Sequence, residues 1–331
     1  MVTTFGQVQL RERMPRLLSS PSPLRTVSRY LAMRLVESLA VGLNWAQGSR
    51  AGNALGILMF HRTTDPVSGV PAPSYNVVPD QLRKQLAGLS SRGFQFWPLS
   101  KVLRHHAEGT AIPPRTVLVT FDDGYATLYD KAYPILRECG VPATLFVCTA
   151  YLDSDGPFPF DAWGLANKGC APAHSYRPLT TEECRELVAS GLIEIGAHTH
   201  THDDYRGRPR AFRDDLQKSV DLVRAKFGIE EVPFAFPYGG RHTGFAADDL
   251  VEAAQHAGVV CGLTTEPILI EPDSDPFRWG RFEVLPWDTS TTLAAKLSGW
   301  YSWAPQLKHS CVRTVKSAFG VQQCRAPSII T

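Results

Sequence analysis

The sequence contains no apolar run near the roughly 18 residues that a helix needs to cross a bilayer core. Its longest candidate, YLAMRLVESLAVGLNWA at residues 30–46, is broken by Arg34 and Glu37. Those charges exclude a span and also argue against a signal peptide, which needs an unbroken core and a small-residue cleavage site. Ala32, Val36, Leu39 and Leu43 instead recur at the spacing of an amphipathic helix. No cysteines stand at C-x-x-C spacing, which removes zinc-ribbon and thioredoxin-type readings. The seven that are present, at 139, 148, 170, 184, 261, 311 and 324, are scattered. Such scatter reads as thiols in a reducing compartment and predicts a cytoplasmic protein, with Cys311 and Cys324 the one pair left open for a disulfide. There is also no acidic residue beyond Asp288.

That last absence exposes a charge asymmetry hidden by the net charge of +2. Residues 1–50 hold seven Arg against Glu12 and Glu37, and the tail from 301 to 331 holds Lys308, Arg313, Lys316 and Arg325 with no acid. The middle of the chain is therefore acidic, which disfavours nucleic acid, whose binding rests on neutralising phosphates with Lys and Arg. The same asymmetry divides the chain into a basic arm with an amphipathic helix (1–54), a core (55–300) and a basic tail (301–331). Arginines flanking an amphipathic helix leave open a peripheral contact with an anionic membrane through the arm. Packing of that helix against its own domain is the simpler reading.

Within the core, short apolar runs alternate with longer amphipathic ones, the pattern of βα units around a parallel sheet. The expected strands are 56–60, 94–99, 116–121, 143–148, 192–197, 233–237, 259–264 and 281–285. Two helices carry local signals. Thr180 or Thr181 caps a run that Gly191 stops, and 211–228 sets Phe212, Leu216, Val220 and Val223 on one face before Gly228. Residues 153–177 read as a long loop. The fold class is α/β, an irregular (β/α) barrel of seven to eight strands with an N-terminal helical arm.

Polar clusters stand just past the carboxyl ends of four of these strands: His61; Asp122 and Asp123; His198, His200 and His202; and Pro237 with Tyr238. In a parallel barrel those ends share one rim, where barrel enzymes build their sites. Asp-Gly alone is a turn signal, and alternating histidines alone are a solvated edge. Together they offer one carboxylate and two imidazoles, close to a catalytic zinc set, with a second carboxylate left to act as base.

TFDDGY (120–125) and HTHTH (198–202) resemble the first two motifs of the polysaccharide deacetylases, carbohydrate esterase family 4, also called the NodB-homology family. The resemblance runs from about Leu55 to Leu285. It implies that Asp122 is the base, that Asp123, His198 and His202 hold a divalent metal, most simply zinc, and that His200 has no ligand role. FAFPYGG (234–240) resembles the third motif, R-x-P-Y, so Pro237 and Tyr238 would serve the oxyanion. Ala235 stands where the motif has arginine, leaving Arg241, Arg278 and Arg281 as replacements. The family's L-x-H is absent. LMFHRT (58–63) resembles a branch whose first strand ends in a histidine, making His61 the candidate general acid. Trp279 is a candidate wall of the sugar pocket or a core residue. Glu194, Asp203 and Asp204 are candidates to orient the histidines. The implied activity is removal of acetyl groups from N-acetylated sugars. A deformylase-like amide hydrolase, or a silent sugar-binding protein on the same fold, are the competing readings, the latter motivated by the missing arginine and L-x-H.

Overall fold

The computed structural model describes residues 23–301, with side chains from residue 34 onward. Cys311, Cys324 and the basic tail lie outside the described residues. All eight expected strands form: β1 (Gly56–Phe60), β2 (Gln95–Phe96), β3 (Thr116–Phe121), β4 (Ala143–Val147), β5 (Ile193–Ala197), β6 (Phe234–Ala235), β7 (Gly262–Leu263) and β8 (Phe282–Glu283). They are parallel and run in the order β7-β6-β5-β4-β3-β1-β8, with β2 pairing the first residues of β3. The two ends of this curled sheet meet through a bridge between Leu263 and Trp279, where the Thr264 N–H donates to the Trp279 carbonyl at 2.7 Å. Four of the strands are only two residues long, so the barrel is irregular.

Period-two alternation sorts the strand residues between two cores. Leu58, Phe60, Val117, Val119, Leu145 and Ile195 pack outward against the helices. The helices are α1 (Pro23–Gln47), α2 (Pro79–Ser90), α3 (Leu99–Ala107), α4 (Tyr133–Cys139), α5 (Ala162–Asn167), α6 (Thr181–Ala189), α7 (Pro209–Phe227), α8 (Asp248–His256) and α9 (Ser290–Ala295). Ile57, Leu118, Phe146, Ala235 and Leu263 face the interior, joined there by Leu99 and Val102 of α3. Gly196 belongs to this inner set because a Cβ there would lie 2.7 Å from the Phe146 ring and 2.5 Å from the Pro233 carbonyl oxygen.

Local chemistry explains the helix boundaries. Thr180 caps α6 in a reciprocal box, its hydroxyl accepting from the Glu183 N–H (3.1 Å) while the Glu183 carboxylate accepts from the Thr180 N–H (2.8 Å). α7 starts at Pro209, two residues before its expected start, and Gly228 ends it at φ 68°. The expected long loop at 153–177 carries the short helix α5 and a turn at Ala173–Ser175.

α1 packs on α9 and on the segment after it through Ala40, Ala295 and Trp300. Glu37 is carried into that contact, where the Trp287 indole N–H donates to it at 3.2 Å and Lys296 lies 4.0 Å away. Lys296 also donates to Asp288 at 2.7 Å. Burial, followed by the Asp288 carboxylate, pushes the Glu37 carboxyl above its usual range, against the opposing pull of Lys296, Trp287 and Arg34. A raised carboxyl stabilises the fold fully below its ordinary pKa of about 4.3, and that contribution is lost as pH rises through the folded value. Glu37→Gln keeps an acceptor for Trp287 and removes the titration. Its urea stability is therefore expected to gain on the wild type as pH rises from about 4 to 7. Parallel pH profiles of the two proteins would contradict this linkage.

Candidate active site

Strand parity aims the site. Asp122 continues the inward positions of β3, and its N–H extends the ladder to the Phe60 carbonyl at 2.9 Å. His198 does the same beyond β5, its N–H donating to the Val147 carbonyl at 3.0 Å. In extended chain the next residue, Asp123, would turn to the helix layer. Its backbone is instead left-handed, φ 72°, and its carboxylate lies 3.4 Å from His198 Nε2 and 3.5 Å from His202 Nε2. Thr199 (φ 64°), His202 (φ 59°) and Tyr238 (φ 60°) share this rare conformation, as does Tyr75 (φ 55°), whose ring stacks on His61 at 4.9 Å. Five of the seven non-glycine residues with positive φ among the described residues thus line one mouth.

The donor set of Asp123, His198 and His202 fits a metal ion. All three residues are buried, and one ligand atom from each lies within 4.8 Å of the others. Two atoms each about 2.0–2.1 Å from a tetrahedral zinc stand roughly 3.3 Å apart, close to the separations seen here. His198 Nδ1 is paired with the Ala235 carbonyl at 2.8 Å, which leaves Nε2 as the free acceptor. Burial pushes His202 down to about 4, keeping it a neutral imidazole at neutral pH. Burial alone would raise the Asp123 carboxyl, yet its contacts with the two imidazoles, His198 first, hold it far below the usual range.

Asp122 has a different partner. Arg281, fully buried beside the start of β8, grips it with both guanidinium nitrogens at 2.6 and 2.8 Å. The fork is fixed from behind by the Thr264 carbonyl (3.1 Å) and the Thr120 hydroxyl (3.2 Å). Burial pushes the Asp122 carboxyl up, but Arg281, with His198, outweighs it and keeps the group ionised below the usual carboxylate range.

Arg281 is thus the arginine that Ala235 does not supply, while Arg241 and Arg278 both face Asp248 at the surface. His61 lies near enough to act electrostatically on both aspartates. Tyr238 is half-exposed, meets His202 edge-on at 4.7 Å, and its N–H has no protein acceptor among the described residues. Pro237 is buried directly before it. His200 turns away, pairing with the Thr149 hydroxyl at 2.9 Å. Two expectations need correction. Trp279 does not wall the pocket: it precedes β8 at the opposite end of the barrel, is 1% exposed, and its indole N–H donates to the Ser274 carbonyl. The acids proposed as orienters do not reach the imidazoles either. Glu194 binds Ser100 and Thr144, Asp204 binds Arg206, and a backbone carbonyl orients His198 instead.

The residue that sequence reasoning missed is Phe160. Its ring stacks on His202 at 4.0 Å, planes 21° apart. His202 Nδ1 is buried without a partner, so aromatic packing rather than a hydrogen bond orients this ring. The next residue, Asp161, pairs with the buried Arg62 guanidinium, which lies 4.1 Å over the Tyr125 ring. That pair ties the loop down over the mouth. The only sequence signal was the aromatic density of the loop.

A curled parallel barrel whose mouth sets a carboxylate and two imidazoles beside a second, arginine-held carboxylate defines a hydrolase of the barrel class. Residues 110–262, somewhat under half of the chain, match the family model of the polysaccharide deacetylases. His61 and Arg281 fall outside the matched span. The chain is 26% identical over 220 residues to the poly-β-1,6-N-acetyl-D-glucosamine N-deacetylase of Staphylococcus epidermidis, over 64% of this chain and 68% of that protein. Its fold is similar to that of a de-N-acetylase from Aggregatibacter actinomycetemcomitans, with TM-score 0.62, 20% identity, and coverage of 74% of this chain and 100% of that one. IcaB from Ammonifex degensii is also similar, with TM-score 0.60, 24% identity, and coverage of 76% and 98%.

Two outcomes are expected. In competition with a chromophoric chelator, His202→Ala abolishes zinc binding, Phe160→Ala weakens it roughly tenfold, as loss of a ligand-orienting neighbour does, and His200→Ala leaves it unchanged. Arg281→Lys keeps the charge but not the fork, and should lower kcat/KM by one to two orders of magnitude, about 1.4 kcal/mol per tenfold, with zinc affinity retained.

Proposed function

We propose that the protein is a metal-dependent N-deacetylase of polymers or glycoconjugates built from N-acetylated amino sugars, the substrate class named for its staphylococcal relatives. The observation that carries this reading is the pairing of two adjacent carboxylates with different partners, Asp122 with Arg281 and Asp123 with two imidazoles. Different surroundings give two identical side chains separate tasks. Asp123, His198 and His202 would hold a divalent ion, zinc in our reading, which supplies Lewis acidity toward water and an acyl carbonyl when bound.

Asp122 takes the proton from the attacking water. Arg281 keeps that base ionised and points it across the mouth. The Tyr238 N–H donates to the oxyanion that forms at the acetamide carbon, a type of contact worth roughly 3 kcal/mol. Pro237 fixes the backbone ahead of it. His61 delivers a proton to the departing amine, so that acetate and a free amino sugar leave. The loop bearing Phe160 and Asp161 narrows the entrance and limits water. The silent sugar-binding reading loses half its motivation, because Arg281 fills the place of the missing arginine.

Acetate release from N-acetylglucosamine oligomers, assayed at saturating zinc, tests the assignment. Asp122→Asn should lose at least three orders of magnitude in kcat, roughly 4 kcal/mol of barrel-mouth catalysis, while still binding zinc. Retained turnover would remove Asp122 from the base role. Faster release of formate from N-formylated oligomers would favour the deformylase-like reading instead.

A further inference from the structure

Seven large apolar side chains stand exposed among the described residues, and three of them lie on α1: Leu35 (67%), Leu39 (59%) and Trp45 (89%). At 3.6 residues per turn these three fall within an arc of roughly 120°, together with Ser38, Gly42 and Ala46. All six are exposed, and none is charged. The opposite side of the helix is already used, with Glu37 and Ala40 buried against Lys296, Ala295 and Trp300. α1 therefore presents apolar residues on two faces, whereas the outer face of a surface helix is ordinarily charged.

Charge and size point to one occupant. Arg11, Arg13, Arg16, Arg25 and Arg29 precede the stripe in sequence with Glu12 as the single acid, and Arg50 follows it. The acid-free tail departs from Tyr301, which packs on the same small core as Val41 and Leu43 of α1. The stripe is thus flanked in sequence by basic residues on both sides. From Leu35 to Ala46 the stripe is only about 17 Å long. On a helix about 10 Å across it offers roughly 170 Å², well short of the roughly 800 Å² per partner that a stable dimer buries. Trp45, the most exposed of the three, has the amphipathic ring suited to headgroup depth. No described helix is long and apolar enough to cross a membrane.

We infer that α1 lies in the plane of an anionic lipid surface, with Leu35, Leu39 and Trp45 inserted at the headgroup boundary and the flanking arginines paired with acidic headgroups. The link from Gln47 enters β1 at the end of the barrel opposite the catalytic rim, so docking here leaves the mouth open to a polymer.

Flotation of the full chain with vesicles tests this. Wild type is expected to float with phosphatidylcholine vesicles containing phosphatidylglycerol, not with phosphatidylcholine alone, and to be released by high salt. Leu35→Glu with Leu39→Glu should lower partitioning roughly tenfold or more, and Trp45→Ala should lower it by less. Circular dichroism and deacetylation of a soluble oligomer report folding of the variants. Failure of the wild type to float would overturn the inference. So would unchanged flotation of the double variant, which would assign binding to the basic segments alone. A wild-type dimer that the double variant converts to monomer would reassign the stripe to contact between copies.

Discussion

The pairing of Asp122 with Arg281 is the constraint around which the rest of the barrel mouth is organised. Both groups are almost wholly out of water. Desolvating two such charges costs several kcal/mol each, and only a close fork with further hydrogen bonds offsets it, so the pair stabilises little in net terms. Its use is chemical. A buried carboxylate would otherwise take up a proton, and the guanidinium prevents that while the Thr120 hydroxyl and Thr264 carbonyl hold the guanidinium in place.

Asp123, one residue away, shows how the same side chain receives a second task through backbone geometry. Strand parity would send it into the helix layer, and a left-handed φ returns it to the mouth. Thr199, His202, Tyr238 and Tyr75 carry similar strain, of order 1–3 kcal/mol for each such residue. The two long parallel pairings, β1 with β3 and β4 with β5, are well placed to absorb it, since their inner and outer faces are both packed. The rim is held by this frame and by the loop that seats Phe160 on His202 and Asp161 on Arg62.

The eight strands were legible because residues such as those of β1 and β3 are buried on both faces, which writes a continuous apolar run into the chain. Helix ends at Thr180 and Gly228 were legible because caps are local. The short strands β6, β7 and β8 were expected to be longer than they are. Their apolar flanks are buried for packing rather than for pairing, and sequence alone does not separate the two. Trp279 failed as a pocket wall for a related reason: a large aromatic reads the same at either end of a barrel.

The chain alone determined the residue types at the mouth and their order along it. A strand that ends in Asp-Asp-Gly, and another that ends in His-Thr-His-Thr-His, deliver those groups to one rim once the sheet is parallel. Tertiary structure decided which groups touch. Arg281 reaches Asp122 across 159 residues, and nothing local distinguishes it from Arg241 or Arg278. Phe160, Ala235 and Arg62 act through a ring face, a carbonyl and a buried ion pair that only folding brings within reach. Periodicity and capping are properties of neighbouring residues, whereas orientation at a site is set by contacts between segments far apart in sequence.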